Sequence, residues 1–288
     1  MTQAEAAGRG PVRAGLVAAW RTWRNVNEAV LTAYDGREMR AAFRRLLRLS
    51  AVGLTACGGG NHGLLTTPAP DAALTLHLQT AHFRLYTDAA SDDVLQEVAG
   101  RLEADLPRFQ ADLEVGTTRA FTVRVWRDEA SWFAEVQRYL GRRIETTGYV
   151  TGSEEIRVLA VPQVARNATH ELAHCVSLYV NPRIANNPRW LWESVALWEN
   201  GELVDPRTLE YMVAGRPPTL DQLDADVTAS RQVYEVGYTI GEFVVARSGR
   251  EGLVRLVRAN GDTVAALGFS PSAFEEAWYA FVRERYLR

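Results

Sequence analysis

The chain predicts an α+β fold, with a small mixed α/β half carrying a β-sheet edge first and an α-helical half after it. Three observations predict this. Short alternating, β-branched runs occupy the region before Pro162. A helical spacing of apolar residues takes over from Val164. From Ser230 onward the pattern stays helical between Gly and Pro breaks.

The elements follow in order. Leu76–Tyr86 alternates enough for a strand or hairpin arm, with His82–Tyr86 its best part. Ser91 stands at the N-cap of a helix expected to run through Leu113, with Asp92, Asp93 and Glu97 in its early turns. Phe121–Trp126 alternates and reads as a strand, and a short helix is expected over Glu129–Leu140. Gly148–Gly152 turns into a strand at Ile156–Val161, which Pro162 stops. This strand is expected to present an edge of the sheet. Helices are then expected from Val164 through Tyr179 and near Trp190–Glu199, joined by a loop holding Asn181-Pro182 and Asn187-Pro188. Three more are expected over Ser230–Ser248, Glu251–Ala259 and Ser272–Tyr286.

Composition narrows the function classes. With 288 residues, 47% hydrophobic and 23% charged, the chain can bury a substantial core. The formal charge of −3 hides nine arginines against four acidic residues in 1–56, so the remainder is clearly acidic. An acidic body lacks the clustered basic face that nucleic acid requires, and no nucleic-acid partner is expected. The two cysteines, Cys57 and Cys175, lie in different contexts and are not expected to pair. No run of about 18 apolar residues is present, so no membrane-spanning helix is expected.

The front of the chain reads as an address. Residues 39–56 run from an Arg-rich start through a short apolar stretch to small residues, the layout of a secretory signal. The ending Leu54-Thr55-Ala56-Cys57 resembles the bacterial lipobox. That resemblance implies lipidation at Cys57 and an extracytoplasmic protein of the bacterial cell envelope, held to a membrane through this anchor alone. Residues 1–38 then read as an extension upstream of a start at Met39, and 57–75 as a flexible tether. The folded domain is expected over 76–288.

The chemistry centres on His170-Glu171-Leu172-Ala173-His174. On a helix, positions i and i+4 share a face, so both imidazoles can converge on one ion. Glu171 projects along the edge of that face, where a carboxylate can act as a base without being a ligand. A catalytic zinc needs a third protein ligand and one open position. Glu193, 19 residues after His174, is the candidate, in Trp190-Leu191-Trp192-Glu193-Ser194-Val195-Ala196. Tyr234-Glu235-Val236-Gly237-Tyr238 adds two tyrosines one turn apart. Cys175 points about 100° around the helix from His174 and reads as a small buried residue. His62, His77 and His82 have no ligand spacing. Trp190, Trp192 and Trp198 read as core.

The pairing of His-Glu-Leu-Ala-His with a later Trp-Leu-x-Glu-x-x-Ala resembles the gluzincin metallopeptidases, in particular the exported bacterial peptidase MA-like domains. The resemblance covers roughly residues 82–288 and is most specific over 167–200. It implies a zincin-like fold, one Zn2+ held by His170, His174 and Glu193, and hydrolysis of a peptide or protein substrate by a metal-activated water with Glu171 as base. It also implies an oxyanion donor, Tyr234 by best match, with Tyr238 in reserve; core packing is equally open to both. Two positions depart from the pattern. Ser194 stands where Gly is usual, and Leu197 stands where thermolysin has the acid that supports a His ligand, so that support must come from elsewhere. The competing reading is a lipid-anchored binding or assembly protein that keeps the fold without turnover.

Overall fold

The computed structural model describes residues 74–288, apart from 142–144 and 226. Cys57, the expected signal over 39–56, the extension 1–38 and nearly all of the expected tether lie outside the described residues.

Strands β1 (Thr75–Gln79) and β2 (Phe83–Thr87) form the antiparallel hairpin that the alternation predicts. β3 (Phe121–Trp126) runs parallel to β2, and β5 (Glu155–Leu159) runs parallel to β3. Parallel neighbours require a crossover. Helix α1 (Asp92–Asp112) supplies the first and α2 (Glu129–Leu140) begins the second. β4 (Gly148–Val150) pairs antiparallel with β5, giving the order β1-β2-β3-β5-β4. With the helices that follow, the architecture is α+β.

One expectation is corrected here. Ile156–Val161 is not an edge: the strand ends at Leu159 and is paired on both sides, by β3 and by β4. The edge is β4, whose three residues are too short to show a period in sequence. Ile156, Arg157, Val158 and Leu159 are all buried, as suits a strand covered on both faces.

Alternate strand residues feed two cores. Phe121, Val123, Val125, Ile156 and Val158 join the main core, with Leu95, Val98, Leu102, Leu106 and Phe109 along one face of α1. Trp126 and Leu159 pack instead with Trp132, Phe133 and Val136 of α2. Ser91 occupies the N-cap of α1 as expected, but its hydroxyl makes no capping bond. The adjoining Asp92 carboxylate meets His77 Nε2 at 2.6 Å.

The helical half begins with α3 (Val164–Val180) and α4 (Arg189–Glu199). Short α5 (Glu210–Val213) and α6 (Leu220–Ala225) lead into α7 (Val227–Arg258). Both short helices escaped the sequence reading, because four to six residues carry no full apolar period. The two helices expected at 230–248 and 251–259 are the arms of α7, joined at Gly249, whose φ of 68° and ψ of 178° break the helix. α8 (Thr263–Leu267) and α9 (Pro271–Arg285) complete the chain, with buried Trp278 donating to Thr239 Oγ1 at 3.1 Å. Among the described residues no helix is long and apolar enough to cross a membrane.

The contact between α4 and α7 positions the site. A Cβ on Gly237 would stand 2.7 Å from Leu197 Cδ1 and 3.3 Å from Ser194 Cα. A Cβ on Gly241, one turn on, would stand 2.6 Å from Trp198 Cβ. The two glycines therefore let the α7 backbone lie directly on α4. Ser194 fits its place because Gly237 opposite has no side chain.

Candidate metal centre

Helix α3 carries His170 and His174 one turn apart, with ring centroids 4.8 Å apart and planes nearly perpendicular. Helix α4 packs across α3 and brings Glu193 between them. Glu193 Oε2 lies 3.3 Å from His170 Nε2 and 3.7 Å from His174 Nε2. One donor atom from each of the three residues falls within 4.8 Å of the others.

The two distances from Glu193 Oε2 come close to those that a shared metal ion sets. Two bonds of about 2.0–2.1 Å at a tetrahedral angle hold their donor atoms roughly 3.3–3.4 Å apart. The donor set, two imidazole nitrogens and a carboxylate oxygen, is one that divalent transition metals accept. The group can thus hold a metal ion.

The start of α4 is secured from outside. Its N-cap residue, Pro188, offers no capping side chain, and Asp224 of α6 accepts from Trp190 N–H at 2.9 Å instead. Two further contacts orient the imidazoles. Trp192, read from sequence as core, stacks on the His174 ring at 4.0 Å with planes 6° apart. Among the described residues His174 Nδ1 is buried without a hydrogen-bond partner, and the stacked Trp192 ring holds the imidazole where a hydrogen bond usually would.

His170 has such a partner. Its Nδ1 lies 3.0 Å from Glu202 Oε1, and Asn200 Nδ2 donates to the same oxygen at 2.5 Å. Glu202 is the supporting acid that Leu197 does not provide, and sequence reasoning missed it. A signal existed. Gly201, at φ 68°, donates to Trp198 O, and Glu202 N–H donates to Leu197 O. This is the Schellman turn that an Asn-Gly pair after a helix favours, and it folds Glu202 back toward α3.

Electrostatics favour positive charge at this point. Burial pulls the His170 imidazole down, but hydrogen bonds with Glu193 and Glu202 carry it well above its usual value. Burial works against the Glu193 carboxylate, yet hydrogen bonds with His170 and His174 hold it well below the ordinary range. His174 is pushed down to about 4, chiefly by burial. A field that retains a proton on a buried imidazole also favours a divalent cation in the same place.

Glu171 is buried beside these groups, and burial raises its carboxyl to about 8. Its position depends on β4. A Cβ on Gly148 would stand 2.8 Å from Glu171 Oε1, so only glycine leaves the carboxylate its place. Gly148, read from sequence as a turn residue, is a second missed contributor.

Of the two tyrosines, Tyr234 joins the group and Tyr238 does not. Tyr234 O–H donates to Glu193 Oε1 at 3.1 Å, and Arg189 Nη2 donates to the Tyr234 oxygen at 3.0 Å. Tyr238, one turn along α7, packs its ring on Trp198 at 5.2 Å. Cys175 is buried away from the cluster, with Sγ 3.7 Å from Gly152 O, and burial pushes its thiol up. His77 and His82 pair with Asp92 and Glu103 outside the group. No protein-family model and no curated protein matches this chain.

Proposed function

We propose that the chain is a zinc-dependent peptidase of the gluzincin type. The observation that carries the reading is the convergence of His170, His174 and Glu193, one donor atom each within 4.8 Å, with Glu171 on the same helix. Two histidines and a glutamate form a known catalytic zinc set that keeps one position open. The same donors also suit non-haem iron. The buried carboxylate beside them favours hydrolysis, which needs a base, over oxygen chemistry, which does not.

When bound, the ion supplies Lewis acidity, acidifying water and polarising a substrate carbonyl. Glu171 takes the proton of the attacking water on its carboxylate and passes it to the leaving amine. Its raised pKa suits both halves of that relay, and a cation alongside favours the ionised form that starts it. Glu202 holds His170 with Nε2 turned to the site, and Trp192 does the same for His174 by stacking. Tyr234, the oxyanion donor by resemblance, has its hydroxyl directed at Glu193, so reaching a substrate oxygen requires that bond to be exchanged. The exposed side of β4 is where an extended peptide would align beside Glu171. The lipobox at 54–57 extends the reading to a lipid-anchored enzyme of the cell envelope.

Zinc per chain and cleavage of unfolded casein test the proposal together. We expect about one zinc in the parent, little in His174→Ala and Glu193→Ala, and cleavage that Glu171→Gln abolishes while keeping its zinc. Zinc without cleavage of any peptide bond would leave a binding protein on a peptidase fold; no zinc at all would overturn the reading.

A further inference from the structure

We infer that Arg189 is a positioning residue of the metal centre, acting on Glu193 through Tyr234. The inference rests on the metal-centre reading above and adds a residue that neither the motif nor the resemblance supplies.

The two oxygens of Glu193 have separate surroundings. Oε2 faces the two imidazoles, at 3.3 Å from His170 Nε2 and 3.7 Å from His174 Nε2. Oε1 faces the other way, accepts from Tyr234 O–H at 3.1 Å, and lies 4.0 Å from Arg189 Nη2. A tyrosine hydroxyl has one proton and can give it to only one acceptor. Arg189 decides which, because a guanidinium only donates. With Nη2 donating to the Tyr234 oxygen at 3.0 Å, the hydroxyl proton is left to point at Oε1.

Arg189 is itself well placed to act as a fixed anchor. It is buried, at 7% exposure, in the first turn of α4, one turn before Glu193. Nη1 donates to Asn186 Oδ1 at 3.3 Å, and the guanidinium carbon stands 5.6 Å from the Tyr234 ring centroid. The chain Arg189–Tyr234–Glu193 thus engages Oε1 and presents Oε2 alone to the ion. Freed of this clamp, the carboxylate would be able to rotate or to offer both oxygens, and would be less well ordered to hold an ion.

The test is a zinc affinity measured by chelator competition on the full chain, for the parent, Arg189→Met, Tyr234→Phe and the double variant. Each single change is expected to weaken binding about tenfold, the lower end for residues that support metal ligands. The double variant is expected to lose no more than either single one, because both act through one bond to Oε1. With Co2+ in place of zinc, both single variants should show the weaker visible absorption of a higher coordination number. If Arg189→Met does not fold, Arg189→Lys carries the test: it keeps charge and stem, loses the forked donor, and should weaken binding similarly. Parent-like affinity in the Arg189 variants, or losses that multiply in the double variant, would overturn the inference while leaving the metal centre intact. A parent that takes up no zinc would overturn both.

Discussion

Glu202 Oε1 lies 3.0 Å from His170 Nδ1, which leaves Nε2 of that ring as the atom turned toward Glu193. Because Glu202 is set by the turn that ends α4, the helix that carries Glu193 also carries the residue that orients His170. Glu202→Ala should therefore weaken zinc binding by about 10- to 100-fold, the range for partners that orient metal-ligating histidines. Chelator competition measures this, and an unchanged dissociation constant would remove Glu202 from the site.

Gly148 and Glu171 make the second test. A methyl group at 148 would meet the Glu171 carboxylate at 2.8 Å, so Gly148→Ala must displace that side chain. Zinc content should stay at the parent level, since neither residue is a ligand. Turnover should fall on the order of 100-fold, as displacement of a catalytic group by about 1 Å can cost. Equal turnover in the variant would mean that Glu171 is not the base.

The close approach of α4 and α7 predicts a stability effect. Gly237→Ala places a methyl 2.7 Å from Leu197 Cδ1 and 3.3 Å from Ser194 Cα, so the Leu197 side chain must move and the two helices must part by a few tenths of an ångström. Overpacking of this kind costs about 1–3 kcal/mol, readable as a lower midpoint in urea. It should also weaken zinc binding, because Glu193 and Tyr234 sit on the two helices being pushed apart. A variant as stable as the parent would show that the contact tolerates a larger spacing.

Zinc affinity should rise with pH. Coordination needs neutral imidazoles. Burial lowers the His170 value, but Glu193 and Glu202 more than reverse this, so the ion-free chain holds a proton there well above the usual pKa. Below the folded value an incoming ion must displace that proton, and apparent affinity falls as pH falls. One displaced proton gives about a tenfold change per pH unit. His174, held down to about 4 by burial, is already neutral and adds no slope near neutrality. Titrations between about pH 6 and 8 check this; Glu202→Gln should flatten the slope by releasing His170 from one of its two carboxylate partners.

Much of this molecule was legible in the chain. The helix over Glu129–Leu140 matches residue for residue, and the strand at Phe121–Trp126 does too. Both have a full apolar period bounded by residues that stop it, and local pattern suffices for such elements. His170 and His174 were legible for a related reason, as i, i+4 spacing on a helix is a geometric statement, and Glu193 was legible as the acid of the next helical run. The misses share a cause as well. β4 is three residues long, and its role as the edge depends on β5 being flanked on both sides. Glu202 and Gly148 lie outside the motif and matter only because a turn and a strand bring them to His170 and Glu171.

The sequence by itself therefore determined the α+β plan, the helix that presents two imidazoles on one face, and the pair of residues, Glu171 and Glu193, suited to complete the chemistry. Tertiary structure alone decided that Glu193 turns Oε2 to the imidazoles, that Tyr234 and not Tyr238 meets it, and that Arg189, Glu202 and Trp192 hold the group in place. The physical reason is range. Periodicity and caps act over one or two helical turns, whereas the orientation of a buried carboxylate is set by donors that arrive from other elements and satisfy it only once those elements pack.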